Sequence, residues 1–278
     1  MKHTPWIFFF VVLLALPAPA RAAEEEDWYD YAPHVSIPLT ALGLSVWIAG
    51  EVFKKELVPA EARWTGTNPV DDAVRDALRW NFAHTDDANM ASNLVLGSIP
   101  LAGLSALLFS DRQGWSSPTS SRAKQAGYGG LIMLESASVA MLANQLVKFA
   151  VLRKRPYTRS DEYGRFTADD HLSFYSGHTT TAFALAVSAA TLYDLRGGEH
   201  RGAVWTTALL LATGVGYLRI AADKHYFTDV LVGALVGAAA GYLVPRLLHK
   251  REPEGAVNYT VMPVPTSDAW ILGVTFAL

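Results

Sequence analysis

Three short stretches of the chain gather residue types that can handle a phosphate-like oxyanion. The first is Lys148-Phe-Ala-Val-Leu-Arg-Lys-Arg155-Pro156. Lys148 and Arg155 stand seven apart, so a helix would carry both on one side, and Pro156 discourages its continuation. Two cations at a helix end form an anion clamp, although a basic anchor at lipid headgroups has the same composition. The second stretch is Phe174-Tyr175-Ser176-Gly177-His178-Thr179-Thr180. Ser176 suits a helix N-cap. The amides of Gly177 and His178 would then face an anion, with His178 placed to give a proton to a leaving oxygen. A Ser-capped helix start with an incidental histidine accounts for the same residues. The third runs from Tyr217 to Asp229 and contains Arg219, a third cation, and His225. His225 and Asp229 are four apart, so on a helix the carboxylate could fix the imidazole tautomer and leave the other nitrogen nucleophilic. A surface ion pair at a helix start is the plainer reading of that spacing.

Together the stretches supply what phosphoryl transfer requires. Charge spread over three equatorial oxygens calls for fixed cations and N–H donors, an in-line nucleophile and an acid for the departing alkoxide. No carboxylate cluster suited to Mg²⁺ or Zn²⁺ accompanies them, so a metal-free covalent route fits better than two-metal hydrolysis. No metal and no cofactor is expected.

In residue type, order and spacing, Lys148-x6-Arg155-Pro156, Ser176-Gly177-His178 and Arg219-x5-His225-x3-Asp229 resemble the three-part signature of the type 2 phosphatidic acid phosphatase and vanadium haloperoxidase superfamily. The signature spans residues 148 to 229, and flanking helices extend the likeness to about 94–250. Tyr175 stands where the family usually has proline, and Leu218 where it usually has serine. Neither position carries proton or phosphoryl transfer, so the departures bear on loop geometry and substrate contacts. The resemblance implies that His225 attacks phosphorus and Asp229 orients it. It implies that His178 protonates the leaving group and then activates water. Lys148, Arg155, Ser176, Gly177 and Arg219 would hold the phosphate oxygens. The implied fold is all-α: a membrane-embedded bundle of about six helices, acid phosphatase/vanadium haloperoxidase-like, with the site near the periplasmic surface of a bacterial inner membrane.

The elements that must position these residues are legible as apolar segments. The chain has 278 residues, 51% of them apolar and only 18% charged, which is low for a soluble protein. The formal net charge of −3 argues against nucleic acid as a partner. With no cysteine, disulfides and thiolate sites are excluded. Residues 1–22 read as an export signal: Lys2 and His3, an apolar run from Trp6 to Leu16, then an Ala20-x-Ala22 cleavage pattern. Residues 23–92 form an N-terminal segment with one apolar stretch, Ile37–Phe53, and one amphipathic helix over Asp71–Trp80. Residues 93–250 form the helical-bundle domain, with apolar segments Leu94–Phe109, Gly127–Leu152, Thr179–Tyr193, Ala203–Ile220 and Val230–Leu248. Gly233, Gly237 and Gly241 recur every four residues, which lets helix backbones approach closely in lipid. Residues 251–278 are a β-prone tail, a short hairpin or extended segment.

Loop charge sets the expected orientation. Arg112, Arg122, Lys124, Arg196, Arg201, Arg246, Lys250 and Arg251 share one side if the five bundle segments each cross once, and that side is expected to be cytoplasmic. A crossing by Ile37–Phe53 after a cleaved signal would reverse this, so that segment is expected to pack on the bundle or lie in the interface. The expected substrate is a lipid phosphate in the bilayer: phosphatidate, phosphatidylglycerol phosphate, undecaprenyl diphosphate or a lipid A phosphate. A soluble periplasmic acid phosphatase, a vanadate-dependent haloperoxidase and a non-enzymatic membrane protein are the competing readings. Nothing in the sequence speaks to oligomeric state.

Overall fold

The expected apolar segments become helices whose ends meet on one level. The structure is a computed structural model describing residues 31–110, 119–159, 167–249, 258–265 and 270–277. The expected signal over 1–22 lies outside the described residues, as do Arg112, Lys250 and Arg251. In chain order the helices are α1 (Pro33–Val52), α2 (Lys54–Leu57), α3 (Pro69–Leu78), α4 (Thr85–Leu108), α5 (Thr119–Val151), α6 (Gly177–Leu195), α7 (Arg201–Ala221) and α8 (Phe227–Leu248). Strands β1 (Asn258–Pro265) and β2 (Trp270–Ala277) pair antiparallel, Asn258 opposite Ala277, as the hairpin expected for the tail. The boundary expected between residues 92 and 93 falls inside α4.

Among the described residues, five helical stretches are long and apolar enough to cross a membrane: 33–52, 82–108, 122–151, 201–221 and 227–248. Their outward faces carry large apolar side chains such as Leu94, Leu101, Leu210, Leu235 and Leu247. Such surfaces are tolerated when lipid, not water, surrounds them. The chain is a membrane protein, and α6 is its enclosed central helix. Most α6 residues are buried, many of them Ala, Ser or Thr, and α4, α5, α7 and α8 pack around it.

Of the two placements expected for Ile37–Phe53, packing on the bundle is the one found: helix α1 runs parallel to α5 and packs against it. Tyr31, just before α1, stacks on Tyr128 at 5.4 Å. Further along, Gly43 sits against Ser138, and Gly50 against Gln145 and Phe149, so both chains advance in the same direction. At 1.5 Å per residue its 20 residues reach about 30 Å, the thickness of a hydrocarbon core. Gly43 and Gly50 permit the close approach, while Ile37, Leu42, Ile48 and Val52 face outward.

Helices α6 and α8 make the tightest contact, and the glycine repeat explains it. A Cβ at Gly233 or Gly241 would stand 2.8 or 2.6 Å from the carbonyl oxygens of Ser176 and Ala184, and one at Gly237 would press on that of Thr180. The matched residues rise together, so α6 and α8 also run parallel and start at the same end. Helices α4, α6 and α8 therefore begin where α1, α5 and α7 finish, and the three motifs arrive on one level. Gly237→Ala is expected to lower the midpoint of thermal unfolding in detergent, because overpacking against a backbone costs about 1–3 kcal/mol. Gly214→Ala, where an added Cβ meets nothing within 4 Å, is expected not to lower it.

Candidate active site

The nucleophile candidate is fixed by a carbonyl. His225 lies in the turn between α7 and α8, 2% exposed, and its Nδ1–H donates to the Ser173 carbonyl at 2.8 Å. A carbonyl only accepts, so Nδ1 holds the ring proton and Nε2 presents a lone pair. Burial first, then Arg155, Arg219 and Lys148, push the imidazole pKa well below its ordinary value of 6.5. The ring is therefore neutral at neutral pH.

Asp229 works differently from the expected helical pair. His225 precedes α8, and the closest carboxylate oxygen of Asp229 is 3.7 Å from Nδ1, beyond hydrogen-bond length. Asp229 instead accepts from the Tyr226 amide at 2.9 Å, closing the first turn of α8, and from Ser173 Oγ at 2.5 Å. Ser173 thus bonds Asp229 through its side chain and His225 through its backbone.

The expected helical relation of Lys148 and Arg155 is also corrected. Helix α5 ends at Val151, and Leu152 takes a left-handed φ of 48° that turns the chain away. Arg155 lies in the following non-helical segment. Its Nε donates to the Asp169 carbonyl at 2.7 Å and its Nη1 to the Lys224 carbonyl at 3.3 Å, which sets it beside His225. Lys148 remains on the last turn of α5, and a Cβ added at Gly177 would sit 3.3 Å from its ammonium nitrogen. Ser176 is the N-cap of α6, accepting from Thr179 N at 3.4 Å. The first-turn amides of Gly177 and His178 are left facing the same space. Arg219 at the end of α7 donates to Asn89 Oδ1 at 2.6 Å and Ser92 Oγ at 3.1 Å, while its buried Nε has no partner. His178 Nε2 is 2.8 Å from Asn93 Oδ1. All eight expected site residues thus lie at one end of the bundle. Lys148, Arg155 and Arg219 act together on both His225 and His178.

Several neighbours were not singled out from the sequence. Asn89, Ser92 and Asn93 form a polar i, i+3, i+4 set on α4, directly before the apolar run that starts at Leu94. Lys224 lies beside His225 with its ammonium 4.6 Å from the Tyr157 ring centre, and burial and then Arg155 and Arg219 lower its pKa. Ser173 contributes a backbone carbonyl, which no sequence pattern marks. The four cations Arg153, Lys154, Arg155 and Arg159 crowd into seven residues of sequence. The structure separates them: Arg153 pairs with two carboxylates and Arg159 with Asp72, while Arg155 turns to the site. Among the described residues, no three His, Asp or Glu side chains gather in a metal-binding arrangement.

An all-helical membrane bundle with this cation–histidine site has known relatives. Residues 129–253 match the family model of the PAP2 superfamily, and all three motifs fall inside the match. That stretch of the chain is thus similar to the PAP2 superfamily, the type 2 phosphatidic acid phosphatase relationship that its motifs resembled. A lipid A 1-phosphatase of Porphyromonas gingivalis is 32% identical over 124 residues, 43% of this chain and 26% of that protein. Phospholipid phosphatase 2 of Bos taurus is 34% identical over 91 residues, 29% of this chain and 30% of that protein. The chain thus spans less than a third of the length of either relative. A crystal structure of a transmembrane PAP2 type phosphatidylglycerolphosphate phosphatase from Bacillus subtilis aligns with 76% of this chain and 94% of its own, at 22% identity and a TM-score of 0.46.

The lowered pKa of His225 gives a signed prediction. A histidine whose pKa is depressed keeps its free base as pH falls past 6.5 and loses it only lower down. Carbethoxylation of His225 in the unliganded protein, followed by peptide mapping, should retain its neutral-pH rate at pH 6.5. A protonation midpoint at or above 6.5 would contradict the electrostatics described.

Proposed function

We propose that the chain is a membrane phosphatase that hydrolyses a phosphomonoester or diphosphate of a lipid through a phosphohistidine at His225. The observation that carries this reading is the meeting of three buried cations with a neutral imidazole. Lys148, Arg155 and Arg219 are each less than a tenth exposed, and none has a carboxylate within ion-pair distance among the described residues. Burying charge without a counter-ion is costly, and a bound phosphate removes the cost.

The steps follow from the residues. The phosphate oxygens bind Lys148, Arg155, Arg219, Ser176 and the Gly177 amide. Binding of the phosphate offsets the charge of the three cations and lets His178 take up a proton. Nε2 of His225 then attacks phosphorus in line as the P–O bond to the lipid alkoxide breaks, and the His178 imidazolium gives that oxygen its proton. His178, now neutral, takes a proton from water, which attacks phosphorus and breaks the P–N bond. Inorganic phosphate leaves, and His225 is free again. The fixed cations and helix N-terminus provide the charge stabilisation, so the proposed route needs no metal.

The lipid follows from location and relatives. The site lies where helices of crossing length end, at headgroup depth, and both curated relatives are named for lipid phosphates. We assign residues 93–250 as the catalytic unit and a periplasmic face to the site. Arg122, Lys124, Arg196, Arg201 and Arg246 gather at the opposite end, where cytoplasmic cations belong. With α1 parallel to α5, this face has α1 entering from the cytoplasmic side, so the proposed orientation replaces the reading of residues 1–22 as a cleaved export signal.

Phosphate release tests the proposal. Purified wild type and His225→Ala would be assayed on phosphatidate, phosphatidylglycerol phosphate, undecaprenyl diphosphate, a lipid A phosphate and a soluble ester, with and without EDTA. The expected result is release from at least one lipid, undiminished by EDTA, with His225→Ala reduced at least roughly a thousandfold. Loss of wild-type activity in EDTA would defeat the metal-free route. Retained turnover in His225→Ala would defeat the phosphohistidine.

A further inference from the structure

Helix α3 lies outside residues 129–253 that match the family model, yet it grips the turn that carries His225 from both sides. Asn68 caps α3, accepting from the Val70 and Asp71 amides, and Pro69 starts it, which sets Asp71 and Arg75 one turn apart on one face. Asp71 is fully buried. It accepts from Arg153 Nη2 at 2.6 Å, from the Thr228 amide at 2.8 Å and from Thr228 Oγ1 at 2.8 Å. Arg153 in turn donates to Asp229 Oδ1 at 2.6 Å and lies between the Trp64 and Tyr226 rings, 4.0 and 4.2 Å from their centres. From Asp229 the path continues to Ser173 Oγ, and the Ser173 carbonyl holds the His225 ring. A path of four contacts therefore joins Asp71 to the imidazole.

Arg75 secures the other side. Its Nε and Nη2 each reach one carboxylate oxygen of Asp223 at 2.6 Å, a two-point fork. Asp223 sits two residues before His225 with a left-handed φ of 55°, a conformation that few residues other than glycine adopt without support. The Trp80 amide, just past α3, also donates to the Ala221 carbonyl at 3.0 Å.

We infer that Asp71 and Arg75 of α3 are positioning residues, with Arg153 as the intermediary, and that they hold His225 in line for attack. None of the three is among the residues proposed to hold the phosphate; each acts on the angle of the imidazole. A nucleophile displaced by about 1 Å can lose roughly a hundredfold in rate while substrate binding survives. The inference rests on the phosphohistidine reading above.

The test separates positioning from simple bracing. Asp71→Asn and Arg75→Gln would be compared with Asp72→Asn, whose part-exposed carboxylate on the same helix pairs with half-exposed Arg159. Each would be assayed in detergent with the best lipid substrate, well below its own unfolding midpoint. Positioning predicts that kcat falls roughly 10- to 100-fold in the first two, with KM within about threefold of wild type, and that Asp72→Asn changes kcat less than about twofold. Wild-type kcat in either folded variant, a KM effect in place of a kcat effect, or an equal loss in Asp72→Asn would overturn the inference. Arg75 is less buried than Asp71, so Arg75→Gln decides the matter alone if Asp71→Asn does not fold. A wild type inactive on every phosphate ester would sink the phosphatase reading itself; an active wild type with unaffected variants would sink only this inference.

Discussion

Uncompensated positive charge is the constraint around which the structure is arranged. A guanidinium or ammonium removed from water costs several kcal/mol unless an opposite charge accompanies it. This bundle buries three at one end, and mutual repulsion adds to the cost. Rigid packing elsewhere offsets part of that cost, and the anion proposed to bind there would offset the rest. The glycine seam between α6 and α8, the Ser176 cap and the polar edge of α4 supply the rigidity. The same field keeps His225 neutral, and a neutral imidazole is the form that can attack phosphorus.

The arginines fall into two populations with different jobs. Arg75, Arg153 and Arg159 are each matched to carboxylates, and they fasten the N-terminal segment and the 156–159 turn to the bundle. Arg155 and Arg219 bond only neutral oxygens, which polarise them without cancelling their charge. Arg153 and Arg155 are two residues apart and take opposite roles because Leu152 turns the chain and Pro156 follows. The separation lets one loop both anchor the scaffold and present charge to substrate.

The bundle was legible because its signals are local. Every apolar segment lies in a helix, although α4 and α5 start nine and eight residues before their apolar runs, and Gly233, Gly237 and Gly241 announced close packing before any contact was visible. The three motifs were legible because phosphate chemistry restricts residue types strongly at fixed spacings. Long-range partners were not legible. Asp71 reads as one more charge on an amphipathic helix, and nothing local says that it meets Arg153 and Thr228. Spacing also misled where it presumed a helix: Arg155 and His225 both stand beyond helix ends, so seven- and four-residue intervals lost their helical meaning. That α1 packs on the bundle was legible, but its direction along α5 was not, because the partner stripe on α5 carries no mark in the sequence.

Everything in the account converges on a single nitrogen, Nε2 of His225. Rapid-quench mass spectrometry of the wild type, turning over its best lipid substrate, measures that atom most directly. The account predicts one phosphoryl group on the peptide containing His225, labile in acid and stable in alkali, that forms and decays fast enough to lie on the path to inorganic phosphate. A phosphoryl group on another residue, or turnover with no phosphoenzyme formed at a kinetically competent rate, would contradict it.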